Sequence, residues 1–139
     1  MSLYVLDTDS LSLFRRGHAG LIQRMTQCAP DELAITVITV EEQVSGWYAL
    51  LRKAKSSAEL ARTYQRLADT IKLLAGFPIL PFTETAIARY EQLKAMKLNV
   101  GGMDLRIAAI ALEHGGTVVT RNLADFHRIP DLPCENWAS

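Results

Sequence analysis

The sequence predicts an α/β fold, a three-layer α/β/α sandwich around a mainly parallel central sheet. Two observations carry that reading. Short apolar runs rich in β-branched residues, such as Leu3–Leu6 and Leu33–Val37, alternate along the chain with longer stretches whose apolar residues recur at helical spacing. The short runs are apolar throughout rather than at every second position, as expected of strands covered on both faces. At 139 residues the chain suits one domain over 1–139, and folding at that size buries roughly two thirds of the unfolded surface.

Each element has a local cause. Leu3–Leu6 is a buried strand that Asp7 cuts off. Thr8 or Asp9 caps a helix running to about Arg16, and Gly17 ends it. A second short helix covers 19–28 and Pro30 stops it. Leu33–Val37 is the second strand. Val40, Val44, Trp47, Tyr48 and Leu51 form one stripe of a helix from Val40 to about Ala54. Ser56 and Glu59 stand as a capping box for a helix that Gly76 closes, with Leu60, Tyr64, Leu67, Ala68, Ile71 and Leu74 on its inward face. Residues 77–82 are extended, and their two prolines confine them to an edge strand. Thr83 or Thr85 caps the next helix, which turns Ala86, Tyr90 and Leu93 inward and breaks at Asn99–Gly102. Residues 103–114 are apolar nearly all round, so this helix belongs in the middle of the fold. Gly115-Gly116 ends it, Thr117–Thr120 is a strand, 121–133 holds at most one helical turn, and Cys134–Trp137 is a last short strand.

Composition narrows the function. Apolar residues make up 49% and charged residues 22%, which excludes a disordered chain. Fifteen basic and fifteen acidic residues cancel, which argues against a tail-driven nucleic-acid binder but not against an enzyme meeting a polyanion through a local patch or bound metal ions. The longest unbroken apolar run is six residues, Ile107–Leu112, so no membrane span is expected, and the acidic start at Asp7 and Asp9 is unlike a signal peptide. Cys28 and Cys134 read as two reduced thiols of a cytoplasmic protein.

In a parallel sheet ligands gather beyond the carboxyl ends of the strands. Asp7, Glu42 and Asp125 each follow such an end, Glu42 in the first turn of its helix, and Asp104 opens the buried helix that points to the same edge. Singly, each has an ordinary explanation: Glu42 and Asp104 favour a helix macrodipole, Asp7 is a cap, and Asp125 is a turn residue. Together, four carboxylates within a few ångströms must protonate or bind cations. An all-oxygen set suits Mg2+ or Mn2+, which keep several waters and complete their shell with substrate phosphate. One or two such ions activate water and stabilise the leaving oxygen of a phosphodiester.

The motifs Leu6-Asp7-Thr8-Asp9, Ile38-Thr39-Val40-Glu41-Glu42 followed by Gly46, Asp104-Leu105-Arg106-Ile107-Ala108-Ala109, and Val119-Thr120-Arg121-Asn122 with Asp125-Phe126 resemble, in order and spacing, the PIN-domain nucleases. Most similar are the toxin ribonucleases of bacterial VapBC toxin–antitoxin pairs, and the closing Ile129-Pro130-Asp131-Leu132 and Trp137 resemble their tails. The resemblance implies that Asp7, Glu42, Asp104 and Asp125 hold Mg2+ or Mn2+ for endonucleolytic cleavage of RNA. It makes Asp7, Glu42 and Asp104 the firm three. The fourth acid varies in position within the family, falling where this chain has Asn122 or where it has Asp125; Asp125 is the expected one. It also implies a homodimer and a cognate antitoxin whose helical segment enters an apolar groove on the early helices; no membrane partner is expected, from the short apolar runs.

Around the acids, Asp9, Thr8, Thr39, Thr120 and Asn122 are expected in supporting roles, a hydroxyl orienting a carboxylate. Arg121 and Arg15 are the candidate RNA contacts. Trp47, Tyr48, Tyr64 and Tyr90 lie on stripes read as inward packing. The three histidines lack ligand spacing. Two other classes compete. A phosphatase of the haloacid dehalogenase type shares the Val5-Leu6-Asp7-Thr8-Asp9 start but needs a downstream lysine that has no convincing counterpart here. A non-catalytic receiver-like domain needs an acid after the middle strand, where this chain has Thr39. A PIN scaffold without catalysis is a third possibility, although all four acids are present.

Overall fold

The structure is a computed structural model describing residues 2–139. Its strands are β1 (Tyr4–Leu6), β2 (Leu33–Thr36), β3 (Ile79–Leu80), β4 (Thr117–Val119) and β5 (Cys134–Glu135). Its helices are α1 (Thr8–Arg15), α2 (Ala19–Thr26), α3 (Val37–Lys53), α4 (Ser57–Ala75), α5 (Glu84–Ala95), α6 (Gly102–Glu113) and α7 (Leu123–Phe126). A single 3-10 turn, Pro30–Glu32, leads into β2.

The five strands lie in the order β3-β2-β1-β4-β5 and every pairing is parallel. Val5 stands beside Ala34 and Val118, and Leu6 beside Val119. Side chains alternate across the pleat, so Val5 and Val118 face one layer while Leu6, Val119, Leu33 and Ile35 face the other. The first layer brings Leu93 of α5, Leu105, Ala108 and Ala109 of α6, and Phe126 of α7. The second brings Leu11 and Leu13 of α1, Leu21 and Met25 of α2, and Leu74 of α4. This is the expected three-layer sandwich. α6 is buried over Ile107–Ala111, as its all-round apolar sequence requires. Gly115 stops it in the left-handed region at φ 63°. The next residue, Gly116, lies so close to the sheet that a Cβ there would meet Val5 Cγ2 at 3.0 Å.

The caps settle most boundaries. Ser56, Thr83 and His18 cap α4, α5 and α2 through Glu59, Ala86 and Leu21 N–H groups. Glu59 reaches back to the Lys55 N–H rather than to that of Ser56. Three expectations are corrected. The cap of α1 is neither Thr8 nor Asp9 but Asp7, in the capping role its position also allowed, because Asp7 Oδ1 accepts from Ser10 N at 2.8 Å. α3 begins at Val37, because Thr36 ends β2 and caps the helix. Thr39 is therefore inside a helix and does not end a strand, and Glu42 lies in the second turn rather than the first.

The third correction concerns the α3–α4 hairpin. Its stripes were expected to face inward, yet Tyr48 is 49% and Tyr64 56% exposed, and Leu50, Leu60 and Ile71 are also exposed. The two helices pack on each other and reach beyond the short β2 and β3, so the sheet covers only the lower part of the pair. Trp47 and Tyr90 are half-buried. Among the described residues, no helix is long and apolar enough to cross a membrane. Both cysteines are free.

Candidate active site

The chain runs from β1 to β2 and β3 on one side, then returns to β4 and β5 on the other. The reversal leaves a crevice at the carboxyl ends of β1 and β4, where this class of sheet places its ligands. An open pocket of about 690 Å³ lies there, and Asp7, Thr8, Asp9, Ser12, Glu42, Asp104, Arg121 and Asn122 line it.

Asp7 is set by β1. It caps α1, and it is 5% exposed. Burial raises its carboxyl above the ordinary aspartate value; hydrogen bonds from Thr120 and Ser10 act the other way, and the Asp9 charge adds to the rise. Ser10 ties this corner down, since its hydroxyl donates to the Val119 carbonyl at 2.9 Å. Asp104 sits in the first turn of α6, where the helix end favours a carboxylate. Its carboxyl is nevertheless pushed up to about 6, by burial first and then by the charges of Asp7, Glu42 and Asp125. The four acids expected from the sequence therefore act on one another, although they come from four separate segments.

Glu42 is held by a relay. Thr8 Oγ1 donates to Glu42 Oε1 at 2.6 Å and lies 3.1 Å from Thr39 Oγ1. A hydroxyl has one proton to give. Thr8 gives its own to Glu42, so Thr39 is the donor to Thr8. Thr39 is fully buried. Two of the predicted supporting hydroxyls thus aim one carboxylate.

Asp125 behaves differently. Asn122 Nδ2 donates to its Oδ2 at 2.8 Å and Arg128 Nη1 to its Oδ1 at 3.0 Å. Its charge is compensated, and Asn122, not Asp125, lines the pocket. Thr120 Oγ1 accepts from Asn122 N at 2.9 Å and fixes the turn that presents Asn122. Asp9 is also compensated. Arg121 meets it through Nε at 2.7 Å and Nη2 at 2.9 Å, a bidentate pair at the pocket rim. Arg121 borders the pocket as expected, but Asp9 occupies its guanidinium. Arg15 stands outside the acids, its guanidinium 5.6 Å from the centre of the Trp47 ring.

Ser12 was not foreseen. It lies one turn after Thr8 on α1, lines the pocket and accepts from Gln43 Nε2 at 3.2 Å. The four-residue spacing from Thr8 was the available signal.

The pocket offers carboxylate, hydroxyl and amide oxygens and no histidine or cysteine. That donor set suits a hard divalent cation. Among the described residues no three carboxylates stand close enough to enclose an ion by themselves. A cation held there would keep much of its water and take one or two carboxylates directly, as Mg2+ does.

Comparison with known proteins identifies the family and the fold. The family model for the PIN domain matches residues 4–132. The chain is similar to Ribonuclease VapC1 of Haemophilus influenzae, 26% identical over 141 aligned positions that cover 97% of this chain and 98% of the relative. A shorter stretch of 46 positions, a third of either chain, is 44% identical to Ribonuclease VapC2 of Rickettsia felis. Among solved structures, DNA-bound VapBC from Salmonella typhimurium superposes with a TM-score of 0.79 at 26% identity, covering 99% of both chains. FitAcB from Neisseria gonorrhoeae gives 0.74 at 27% identity, covering 96% of this chain and 97% of that one.

Proposed function

Because the chain belongs to the PIN domain family, we propose that its acidic pocket is the active site of an endoribonuclease that cuts RNA phosphodiester bonds with Mg2+ or Mn2+, and that the protein is the toxin of a toxin–antitoxin pair. The observation that carries this reading is the meeting of Asp7, Glu42 and Asp104 in one pocket at the carboxyl edge of the sheet, where burial first, and then the charges of Asp7, Glu42 and Asp125, raise the Asp104 carboxyl to about 6. The relatives named VapC ribonucleases support the chemistry, and the VapBC complexes support an antitoxin partner. A homodimer is proposed on the same ground, with the exposed apolar side chains of the α3–α4 hairpin as available surface. The cytoplasm is the proposed location.

Asp7, Asp104 and Glu42 are the candidates to hold the cation, one or two of them directly and the rest through its waters, with Asp125 acting on Asp104 through its charge. A divalent cation bound there would ease loss of a proton from a coordinated water, making it a nucleophile towards phosphorus, and would offset the negative charge on the leaving oxygen. The chain's own part is orientation. The Thr39–Thr8 relay fixes the Glu42 carboxylate, Ser10 fixes the β1–α1 corner that presents Asp7, and Thr120 fixes the turn that presents Asn122. The Asp9–Arg121 pair places a cation at the rim without adding net charge.

The test is RNA cleavage by the purified full chain with Mg2+ or Mn2+, repeated with excess chelator. Cleavage that appears only with the ion supports the reading, and equal cleavage in chelator overturns the metal step. Thr8→Val keeps the side chain's shape but breaks the relay. It is expected to lower cleavage about 10–100-fold, the usual cost of losing an orienting hydrogen bond behind a metal ligand. Circular dichroism should remain that of the parent chain. Unchanged activity in Thr8→Val would show that Glu42 needs no orientation.

A further inference from the structure

Six arginines of the chain have partners or positions that can be compared. Arg24, Arg89, Arg121 and Arg128 each form an ion pair with a carboxylate. Arg15 and Arg66 form none among the described residues, yet both are held in one place. Their guanidinium carbons lie 5.6 and 5.9 Å from the centre of the same Trp47 ring. Trp47 is itself fixed, because its Nε1 donates to Thr70 Oγ1 at 2.7 Å and Thr70 is buried. Arg15 adds only long contacts to Gln43 and Thr70, at 3.4 and 3.5 Å. Two guanidinium groups that each lie within 6 Å of one indole centre and line one cleft, with no carboxylate ion-paired to either, form a place for an anion.

The cleft that holds them leads to the acids. Glu42 lines both the acidic pocket and a smaller cleft of about 230 Å³ that also contains Arg15 and Trp47. The next cleft, about 390 Å³, shares Arg15 and Trp47 and adds Arg66. A third continues past Trp47 and Arg66 to Arg62 and Lys53. Glu42 and Trp47 are both on α3, and five residues of helix separate them by about 7.5 Å. The carboxylates along the way, Glu59 and Asp69, accept from the neutral donors Lys55 N and Gln65 Nε2 and pair with neither arginine. The path therefore starts at an acidic pocket suited to a cation and continues along arginines that form no ion pair among the described residues. That order of charge fits a polyanion with one phosphate at the cation and its neighbours on the arginines.

We propose that the cleft between α1, α3 and α4 is the track for the single-stranded RNA substrate beside the cut, with Arg15 and Arg66, held over Trp47, gripping a flanking backbone phosphate. This rests on the endoribonuclease reading for the identity of the anion. The contact is to the backbone, so it carries affinity without base preference.

The test measures binding and cleavage separately. A fluorescein-labelled single-stranded RNA oligonucleotide is titrated with the full chain carrying Asp104→Asn, and fluorescence anisotropy is followed over a range of salt. Adding Arg66→Ala or Arg15→Ala is expected to weaken binding about tenfold and to lower the salt slope by about 0.7 for each lost phosphate contact. Arg66→Lys should restore the slope, and Arg24→Ala, at a paired arginine, should change neither. In the otherwise native chain, Arg66→Ala should raise KM with kcat unchanged. Cleavage by the parent chain with affinity and slope unaltered in both alanine variants would overturn the track and leave the enzyme reading standing. A parent chain that binds RNA through these arginines but never cleaves it would keep the track and overturn the enzyme. Alanine variants that lose a partner polypeptide but not RNA would assign the cleft to protein and overturn the proposal.

Discussion

Asp104→Asn is expected to lower RNA cleavage by at least about 100-fold, since a cation ligand should matter no less than the groups that orient one. The same change should raise, not lower, the melting temperature of the cation-free protein near neutral pH. The reason is the sign of the shift. The Asp104 carboxyl is raised from 3.8 to about 6, so its environment disfavours the charged form. A group raised in the folded state contributes stability below its unfolded value and loses it as pH rises. Between about pH 4 and 6 the wild-type chain therefore loses stability through Asp104, and the buried Asp7 shifts in the same direction. Asparagine carries no charge to lose. Divalent cations should stabilise the wild type more at pH 7.5 than at pH 5, because they compete with a proton at Asp104, and should stabilise the variant less at either pH. Thermal melts with and without Mn2+, beside cleavage rates, check all of this. A variant that is both active and less stable would remove Asp104 from the proposed centre.

Phe126→Ala should cost about 3–5 kcal/mol, the usual loss for a buried aromatic ring replaced by a methyl group. Phe126 is fully buried and packs with Val5, Val118 and Ala108 where β1, β4 and α6 meet. It is also the anchor of α7, which has only four residues and no side-chain cap. Its N–H donates to the Asn122 carbonyl at 3.2 Å and its carbonyl accepts from Ile129 at 3.1 Å. Removing the ring leaves a cavity and frees the turn that carries Asn122 and Asp125, so cleavage should fall with stability. Phe126→Leu should recover most of both. Denaturant unfolding followed by fluorescence measures the loss; a value under about 1 kcal/mol would mean that the surroundings collapse to fill the space.

Much of the site was legible because its causes are local. Asp7 stops an apolar run, Asp104 opens a helix that is apolar all round, and parallel strands send Asp7, Glu42 and Asp125 to one edge. The start of α3 was not legible. Val37-Ile38-Thr39-Val40 is β-branched throughout, so propensity extends the strand, yet the Thr36 side chain caps Thr39 N and begins the helix there. The stripes of α3 and α4 did reveal helices. They did not reveal which part of each stripe faces solvent, because that depends on where β2 and β3 end.

The sequence alone determined the layered α/β architecture, the order of its elements and the acids at their ends, since caps, glycine stops and apolar periodicity act over a few residues. Only the tertiary structure decided which charges are free and which are spent. Asp9 meets Arg121 across 112 positions, and Thr8 reaches Glu42 across 34. Arg15 and Arg66 come from α1 and α4 to the same ring without a carboxylate. Pairings of that kind follow from how the layers dock, which no local pattern of residues encodes.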